Sequence, residues 1–297
     1  MFELRAPTPD DLAAVAAVLA ADDLAGSGQV FFDEGFVRDE WSRPGFALAD
    51  DAWVASDVAG TVVGYAQVLR EDPDIVESWG VVHPEHRGRG IGTALLDRIE
   101  ARAVTLAPAF RFRHAINARD HAAAELLRAR GLRPVRHFHY MQIDLDPRPE
   151  PGGAPAGVRI EPPADLEPVH AVLVDAFADD WGYHPEPFDR WTAEQTASPS
   201  HDPSLWLVAW DGDEPVGAVT ANLWDDRGWV GEVGVRASHR GRGIAGALLR
   251  RSFATFADRG LARVLLNVDS ANPTGATALY ERVGMRVVWR WDLWERG

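Results

Sequence analysis

The chain has 297 residues and 46% of them are hydrophobic, which is enough for two packed domains and argues against general disorder. A formal charge of −15 argues against a general binder of nucleic acid or of anionic membranes, and the absence of cysteine excludes disulfides, a thiol nucleophile and thiolate metal sites. No signal-peptide pattern and no apolar run of the roughly 20 residues that span a bilayer are present, so we expect a cytoplasmic protein without a metal site.

Both halves of the chain show the same succession of predicted elements. Each opens with a short strand, at 2–5 and at 158–161, followed by a helix with an acidic cap. After a variable region come two strands joined by a turn, and then a strand, a glycine-rich turn and a helix. Another strand, another helix and one or two closing strands complete each half. This order predicts a mixed α/β sheet with a ligand site at the carboxyl end of a strand.

A constant offset relates the two halves: adding 153 to the number of a residue in the first half leads to its counterpart in the second. Identical residues at this offset are Trp53 and Trp206, Gly64 and Gly217, Arg87 and Arg240, Gly90 and Gly243, and Gly131 and Gly284. Such agreement indicates an internal duplication. Between the halves, residues 147–156 are rich in Pro and Gly, as is typical of a linker. The predicted domains are therefore residues 1–146 and 157–297.

Two basic glycine-rich turns, one in each half, follow a strand and open a helix. Their sequences are Arg87-Gly88-Arg89-Gly90-Ile91-Gly92 and Arg240-Gly241-Arg242-Gly243-Ile244-Ala245. Small residues let the backbone bend tightly and approach a ligand. The first turn of the following helix has free N–H groups and the positive end of the helix dipole. Each turn is therefore predicted to bind a phosphate, with the arginines adding positive charge.

Other interpretations of the turns are weaker. A purely structural turn is disfavoured because the whole strand, turn and helix is duplicated together with its arginines. The run 241–246 matches the dinucleotide motif G-x-G-x-x-G, and a strand ending at Asp269 follows it. Against this reading, Thr93 replaces the last glycine in the first half, and the turn follows a hairpin of strands. A Walker-type loop is excluded because the turns contain no Gly-Lys-Ser/Thr.

The two turns resemble the signature Arg/Gln-x-x-Gly-x-Gly/Ala of the GNAT superfamily of N-acetyltransferases. The resemblance implies two tandem GNAT-like domains, each a mixed, mostly antiparallel sheet with splayed parallel central strands flanked by helices. It also implies that the turn amides hold the pyrophosphate of acetyl-CoA, which serves as co-substrate. The strand before each turn would pair with the pantetheine arm, through Val81 and Val82 in the first half and through Val233, Gly234 and Val235 in the second.

A second signature of the family is an Asn followed eight residues later by a Tyr, and the second half has it as Asn272 and Tyr280. The resemblance makes Tyr280 the general acid that protonates the coenzyme A thiolate. Asn272 either contacts the cofactor or caps the helix predicted at 273–283, and both roles are compatible.

The first half departs from this second signature, because the offset leads to Arg119 and Leu127. Leu127 has no proton to donate. The first domain is therefore expected to be non-catalytic but able to bind acetyl-CoA, and the alternative is that His114 or Tyr140 supplies an acid. The second domain is expected to carry the catalysis.

A general base is predicted near the end of the strand that precedes the second turn. Many members of the family carry their base a few residues before that end, where this chain has Trp229. Glu232 is the nearest carboxylate and is the candidate, directly or through water, with a surface charge at a strand end as the alternative. Backbone N–H groups of residues 233–235 would polarise the thioester oxygen.

The acceptor is predicted to be a small cationic amine, bound by carboxylates and aromatic rings of the variable region. These residues are Asp175, Asp179, Asp180, Trp181, Tyr183, His184, Phe188 and Trp191, and the alternative is that the aromatic ones simply pack in the core. The layout is also similar to that of the mycothiol synthases, which are tandem GNAT proteins. Acetylation of an amino-sugar-linked cysteine is therefore the alternative reaction, and a non-catalytic acyl-CoA sensor is the alternative class.

Overall fold

The computed structural model describes residues 1–72, 74–107, 110–224, 226–272 and 274–296. Its contacts define two compact units, formed by Met1–Phe138 with Trp289–Gly297 and by His139–Val288. Each unit combines a mostly antiparallel sheet with helices. Within the described residues, no helix has both the length and the apolarity that crossing a membrane requires.

The first unit builds its sheet in the order β1-β2-β3-β4-β5-β12. Strands β4 and β5 pair in parallel, and the other neighbours in this order are antiparallel. Its elements are β1 (Phe2–Arg5), α1 (Leu12–Ser27), α2 (Glu34–Trp41), α3 (Leu48–Asp51), β2 (Ala52–Asp57), β3 (Val62–Asp72), β4 (Ile75–Val82), α4 (Ile91–Leu106), β5 (Arg111–Asn117), α5 (His121–Ala129), the beginning of β6 (Arg133–Asp144) and, far along the chain, most of β12 (Arg286–Arg296).

The second unit repeats this plan in the order β6-β11-β10-β9-β8-β7, with β10 and β11 in parallel. Strands β7, β8, β9 and β10 pair antiparallel with their neighbours. Its remaining elements are β7 (Val158–Glu161), α6 (Glu167–Phe177), α7 (Phe188–Ala197), β8 (Leu207–Asp211), β9 (Glu214–Trp224), β10 (Arg227–Val235), α8 (Ile244–Asp258), β11 (Arg263–Asp269) and α9 (Ala276–Arg282). The mixed α/β fold predicted from the sequence is confirmed in both units.

Equivalent helices cover the sheet in each unit. In α4 and in α8, buried apolar residues recur three and four positions apart, so that one stripe of each helix faces the strands. The stripes consist of Ile91, Leu95, Leu96, Ile99 and Ala103 in α4 and of Ile244, Leu248, Leu249, Phe253 and Phe256 in α8. These helices follow the two glycine-rich turns, so the core fixes the position of each turn against its sheet.

The closing strands are exchanged between the repeats. Residues 139–144 of β6 lie in the second unit, and residues 289–296 of β12 pair with β5 in the first. The sequence-based division at 146 and 157 instead assigned β6 to the first domain and β12 to the second. Tyr140 consequently lies in the second unit, with its ring 5.6 Å from that of Trp229. Tyr140 is not among the residues that line the cavity of the first unit.

The predicted start of the last helix in the second unit differs from the structure. Helix α9 begins at Ala276, and its cap position is Gly275 in the left-handed region with φ 74°. Asn272 is therefore not the helix cap. Its Oδ1 instead accepts a hydrogen bond from the backbone N–H of Thr274 at 2.9 Å. Pro273, with which the predicted helix began, lies outside the described residues.

The close approach of β10 to α8 depends on Gly228. A Cβ added at this position would lie 2.8 Å from the ring of Phe256, which is fully buried. We expect Gly228→Ala to lower the free energy of unfolding by about 1–3 kcal/mol, because an aromatic ring in a packed core cannot move aside freely. Gly153→Ala is the control, since nothing lies within 4 Å of an added Cβ there. Denaturant unfolding measures both variants, and equal stabilities would contradict the packing described.

Candidate active site

The second glycine-rich turn opens α8 with its backbone groups exposed to an incoming anion. Gly241 and Gly243 have φ of 79° and 82°, a region that favours glycine, and no atom lies within 4 Å of a Cβ added at either. No side chain caps α8, so the N–H groups of its first turn point out of the helix unpaired. Together with the helix dipole they form an anion site, with Ile244 and Ala245 as the first helical residues.

Arg240 fixes the start of this turn to two neighbouring elements. Its guanidinium donates to the backbone oxygen of Val235 at 3.2 Å and to that of Ala176 at 2.9 Å. In the part of the chain that the structure describes, no carboxylate forms an ion pair with it. Arg242 instead pairs with Asp211 at 2.6 Å. The charge of Arg240 is thus held beside the turn without a direct ion pair, and it is close enough to Asp180 to lower the pKa of that carboxyl.

Strand β10 has an open edge on the side of β11. Parallel pairing between the two strands ends at Trp229 and Leu265, whereas β10 continues to Val235. Residues 230–235 therefore have no strand partner on that side among the described residues. On the other side, Val233, Gly234 and Val235 pair with β9. A ligand with amide groups can pair with such an edge as an added strand.

A β-bulge interrupts β10 next to the open edge. The register with β9 shifts between Val230 and Val233, so that Gly231 and Glu232 together face Thr220. The N–H of Glu232 donates to Oγ1 of Thr220 at 2.9 Å. Glu232 was predicted from the sequence as the base, whereas Thr220 was not predicted to take part in the site. The glycine directly before an acidic residue in a strand was the available signal of a bulge.

The side chain of Glu232 is half-buried and lies near other acids. Burial, together with the charges of Glu186 and Glu194, raises its pKa to about 7. A carboxyl group that titrates near neutral pH is suited to accept a proton from an amine. Tyr183 lies in the same surroundings, since burial and the charges of Glu232 and Glu186 raise its pKa to about 12.

Tyr280 lies on α9 with only 7% of its surface exposed. Burial raises the pKa of its hydroxyl well above 10, and the charge of Asp180 adds to the shift. The group therefore stays protonated at neutral pH and can act as a proton donor. Asp180 accepts a hydrogen bond from Nδ2 of Asn272 at 3.1 Å, and its own pKa is raised mainly by burial. Asp180 thus links Asn272 with the surroundings of Tyr280.

The predicted acceptor residues divide into two groups. Trp191 is buried and packs against Trp206 with ring centroids 5.8 Å apart, and Phe188 packs on Trp191. These rings belong to the core, as the packing alternative predicted. Trp181, in contrast, is 40% exposed. Asp175 lies near the turn, 3.9 Å from Arg236.

The first unit keeps the turn but has other side chains at the positions of the acid and the base. Gly88 and Gly90 again have positive φ, of 72° and 81°. At the offset of 153, Leu127 stands for Tyr280 and Trp79 for Glu232. The parallel pairing of β4 with β5 extends to Trp79, which leaves only residues 80–82 open.

A cavity of about 230 Å³ lies in the first unit, beside its glycine-rich turn. Its lining includes Val81, Val82, Arg87, Gly88, Gly90, Ile91 and Gly92, and also Leu127 and His114. Arg89 is not part of it and donates to the backbone oxygen of Glu85 at 2.9 Å. Most of the cofactor-binding residues predicted for this unit thus line one cavity.

Two features distinguish this cavity from the site in the second unit. Arg87 pairs with Asp22 and lies 3.5 Å from Asp120, so its charge is largely compensated. His114 Nδ1 is 2.8 Å from Oγ of Ser78, and burial lowers the pKa of the imidazole to about 4. His114 is therefore neutral at pH 7 and has no proton to donate as an imidazolium.

Hydrogen-bonded aromatic side chains occupy the other face of β4. The indole of Trp41 donates to the hydroxyl of Tyr65 at 2.8 Å, and that hydroxyl donates to Gln67 at 2.7 Å. Gln67 donates to Glu40 at 2.5 Å, and Trp79 donates to the same carboxylate at 3.3 Å. Trp79 of this network stands at the position that Glu232 has in the second unit.

Comparisons with known proteins agree with this geometry. The sequence matches the family described as Acetyltransferase (GNAT) family over residues 168–285 and the Acetyltransferase (GNAT) domain over residues 49–131. The chain belongs to the GNAT family of acetyltransferases and is an N-acetyltransferase with two such domains in tandem.

Its relatives share most of their length with it. The mycothiol acetyltransferase of Geodermatophilus obscurus is 33% identical over 294 residues, which are 93% of this chain and 91% of the relative. That of Beutenbergia cavernae is 32% identical over 253 residues, which are 79% and 80% of the two chains.

Solved structures are similar to the chain over its whole length. A GCN5-related N-acetyltransferase from Sphaerobacter thermophilus has a TM-score of 0.84 at 35% identity, covering 99% of this chain and 95% of that one. A tandem GNAT protein from the clavulanic acid biosynthesis pathway has a TM-score of 0.72, with coverage of 100% and 98%. At 17% identity, the latter shares the fold.

The surroundings of Glu232 predict an unusual titration. We expect its carboxyl to deprotonate with a midpoint near pH 7, so that the carboxylate is the major form only above that pH. In Glu186→Gln the midpoint should move down, because one repelling charge is removed. NMR of selectively labelled glutamate carboxyl carbons, assigned with Glu232→Gln, measures both. A midpoint near 4.5 in the unmodified protein would contradict the half-buried position.

Proposed function

We propose that this protein transfers the acetyl group of acetyl-CoA to a small cationic amine, and that the second unit carries the reaction. The observation that supports this most directly is the combination of groups found there. A β-strand edge without a partner, a carboxyl with a pKa of about 7 and a buried phenol accompany the anion-binding turn. At the matching positions of the first unit stand Trp79 and Leu127.

The residues of the second unit fit acetyl-CoA as co-substrate. The unpaired N–H groups at the start of α8 and the charge of Arg240 suit a diphosphate. The open edge of β10 suits the two amides of a pantetheine arm, because main-chain groups can pair with them as with another strand. When bound, acetyl-CoA supplies an activated acetyl group and a thiolate leaving group.

Glu232 is proposed to make the amine nucleophilic. A cationic amine must lose a proton before it can attack, and the carboxylate of Glu232 accepts it, directly or through one water. Its raised pKa makes it a stronger base than an ordinary glutamate. Activity should accordingly fall as the pH decreases through about 7, because the carboxyl becomes protonated.

Tyr280 is proposed to donate the proton that the departing sulfur requires. Its phenol remains protonated at any assay pH below its raised pKa. Asn272 and Asp180 are proposed to hold the end of the β11–α9 connection near this phenol, since the two side chains are hydrogen-bonded. The N–H groups of β10 beyond the bulge are proposed to polarise the acyl oxygen.

The acceptor is proposed to bind on the face of β10 where Glu232, Glu186 and Glu194 are close enough to affect one another. Negative charge at this face favours a cationic amine over an anionic or neutral one. The names of the relatives support a second candidate, the cysteine amine of an amino-sugar-linked cysteine, which is also a small amine.

The first unit is proposed to bind acetyl-CoA or a related coenzyme A species without turnover. Its cavity lies beside the turn residues that would hold the diphosphate. Compensation of Arg87 by two carboxylates predicts weaker binding there than at Arg240. A role as an acyl-CoA sensor would use this unit, whereas a sensor function for the whole chain conflicts with the presence of Tyr280 and Glu232.

The proposed acid is tested by Tyr280→Phe. We expect kcat to fall by about 100-fold while KM for acetyl-CoA changes little, because the ring is kept and only the proton donor is lost. Tyr65→Phe in the first unit is the control: it also removes a buried hydroxyl, and one with two hydrogen bonds, yet it should leave turnover unchanged. Unchanged kcat in Tyr280→Phe, or loss of turnover in Tyr65→Phe, would show that the proposal assigns the chemistry to the wrong unit.

The acceptor is tested by a panel of amines with thiol release as the readout. The panel contains linear diamines, amino sugars, neutral amines and a cysteinyl amino sugar. We expect cationic amines to be acetylated with the higher kcat/KM, and Glu186→Gln to reduce this preference. A preference of more than about tenfold for the cysteinyl amino sugar over the simple amines, which corresponds to about 1.4 kcal/mol, would favour the second candidate. If none of the amines in the panel causes thiol release, both candidate acceptors are contradicted.

A further inference from the structure

Thr220 and Gly231 form a contact that the first unit lacks. Oγ1 of Thr220 accepts the N–H of Glu232 at 2.9 Å, and a Cβ added at Gly231 would lie 2.8 Å from the same oxygen. Gly231 does not have positive φ, so space rather than backbone conformation requires a glycine there. The hydroxyl and the missing side chain therefore fit each other directly.

The bulge coincides with this contact. Thr220 is 4% exposed and lies opposite two residues of β10 instead of one. In a regular antiparallel pair the N–H of Glu232 would face either a backbone oxygen or solvent. Here a side-chain hydroxyl takes the place of the backbone partner, which satisfies the N–H where the ladder is interrupted.

The first unit provides a comparison within the same chain. At the offset of 153, Gln67, Ser78 and Trp79 stand for Thr220, Gly231 and Glu232. There β3 and β4 pair in one continuous register from Gly64 with Val82 to Arg70 with Val76. With Gln67 in place of Thr220 and Ser78 in place of Gly231, the equivalent strands therefore pair without a bulge. We infer that the bulge depends on these side chains and not on the fold that the two units share.

We propose that Thr220 is a positioning residue, whose hydroxyl holds the bulge and thereby places the carboxyl of Glu232 at the open edge of β10. This inference rests on the proposed function, because it assigns Thr220 a role through the proposed base. The hydroxyl accepts the N–H of Glu232, and the absent side chain of Gly231 leaves room for it. The carboxyl group is thus fixed through its own main chain.

The test compares Thr220→Val with Thr220→Ser. Valine keeps the shape but removes the acceptor, so the bulge loses its hydrogen bond, whereas serine keeps the hydroxyl. We expect kcat of Thr220→Val to fall by roughly 10- to 100-fold, as for a catalytic group displaced by about 1 Å, with KM for acetyl-CoA nearly unchanged. Thr220→Ser should recover most of kcat. Thr255→Val on α8, which removes an exposed hydrogen bond to the backbone of Arg251, is the control.

The pH profile separates positioning from a general loss of stability. In Thr220→Val the step in kcat/KM near pH 7 should shift or flatten, and in Thr220→Ser it should stay. A variant that is merely less stable keeps the midpoint of the wild type. Thr220→Val with wild-type kcat and midpoint would overturn the inference.

A second pair of variants keeps the inference testable if Thr220→Val does not fold. Gly231→Ala should lose activity because its methyl group meets Oγ1. In the combination of Thr220→Ala with Gly231→Ala the clash is gone, so stability should return while kcat stays low. Recovery of full kcat in this double variant would overturn the inference.

Glu232→Gln distinguishes a failure of this inference from a failure of the proposed function. If Glu232→Gln is inactive and Thr220→Val is fully active, only the role of Thr220 is wrong. If Glu232→Gln is fully active, Glu232 is not the base, and the proposed mechanism is wrong together with this inference. If Glu232 is the base, adding Thr220→Val to Glu232→Gln should reduce kcat by less than about twofold, because coupled residues are not additive.

Discussion

The end of the parallel pairing between β10 and β11 is the feature on which the rest of the second site depends. Main-chain N–H and C=O groups of a strand require partners, and β10 continues six residues past the last pair without one on that side. A ligand can pair with this edge as with an added strand, and the backbone oxygen of Val235 already accepts a hydrogen bond from Arg240. The turn that follows adds further N–H groups that have no partner within the helix. Together, these main-chain donors and acceptors suit a ligand that contains both an anion and amides.

The duplication shows how little of this site belongs to the fold itself. Both units have the helix, the turn with positive φ and a parallel strand pair, yet their chemistry differs. In the first unit, parallel pairing extends three residues further relative to the turn, and the indole of Trp79 takes part in a network with Glu40. Leu127 completes an apolar wall of the cavity. A shared scaffold therefore carries Glu232 and Tyr280 in one unit and Trp79 and Leu127 at the same positions in the other.

Much of this architecture could be predicted from the sequence. The offset of identical residues and the order of strands and helices predicted the mixed α/β fold, because periodicity and turn residues report local structure directly. The glycine-rich turns were found because their function depends on main-chain conformation, which leaves a glycine pattern. The roles of Tyr280 and Glu232 came from resemblance and position, and they remain predictions that the surroundings of the two side chains support.

What the sequence did not reveal depends on contacts between distant residues. The bulge needs Thr220 on β9 to meet Gly231 on β10, and neither residue is unusual by itself. The pKa of Glu232 depends on Glu186 and Glu194, which lie on another segment. Arg87 and Arg240 have the same sequence context, yet two carboxylates face the first and two backbone oxygens the second. The boundary between units differed for a similar reason, since a linker rich in Pro and Gly does not indicate which sheet a later strand joins.

The exchange of closing strands has a consequence for the order in which the chain is made. Residues 289–296, which pair with β5, are translated after the whole of the second unit. While a ribosome is still producing residues 139–288, the nascent first unit has β5 as an exposed sheet edge. The first unit therefore lacks this strand until synthesis ends. A chain that stopped at the Pro-rich linker would not contain the strand that pairs with β5.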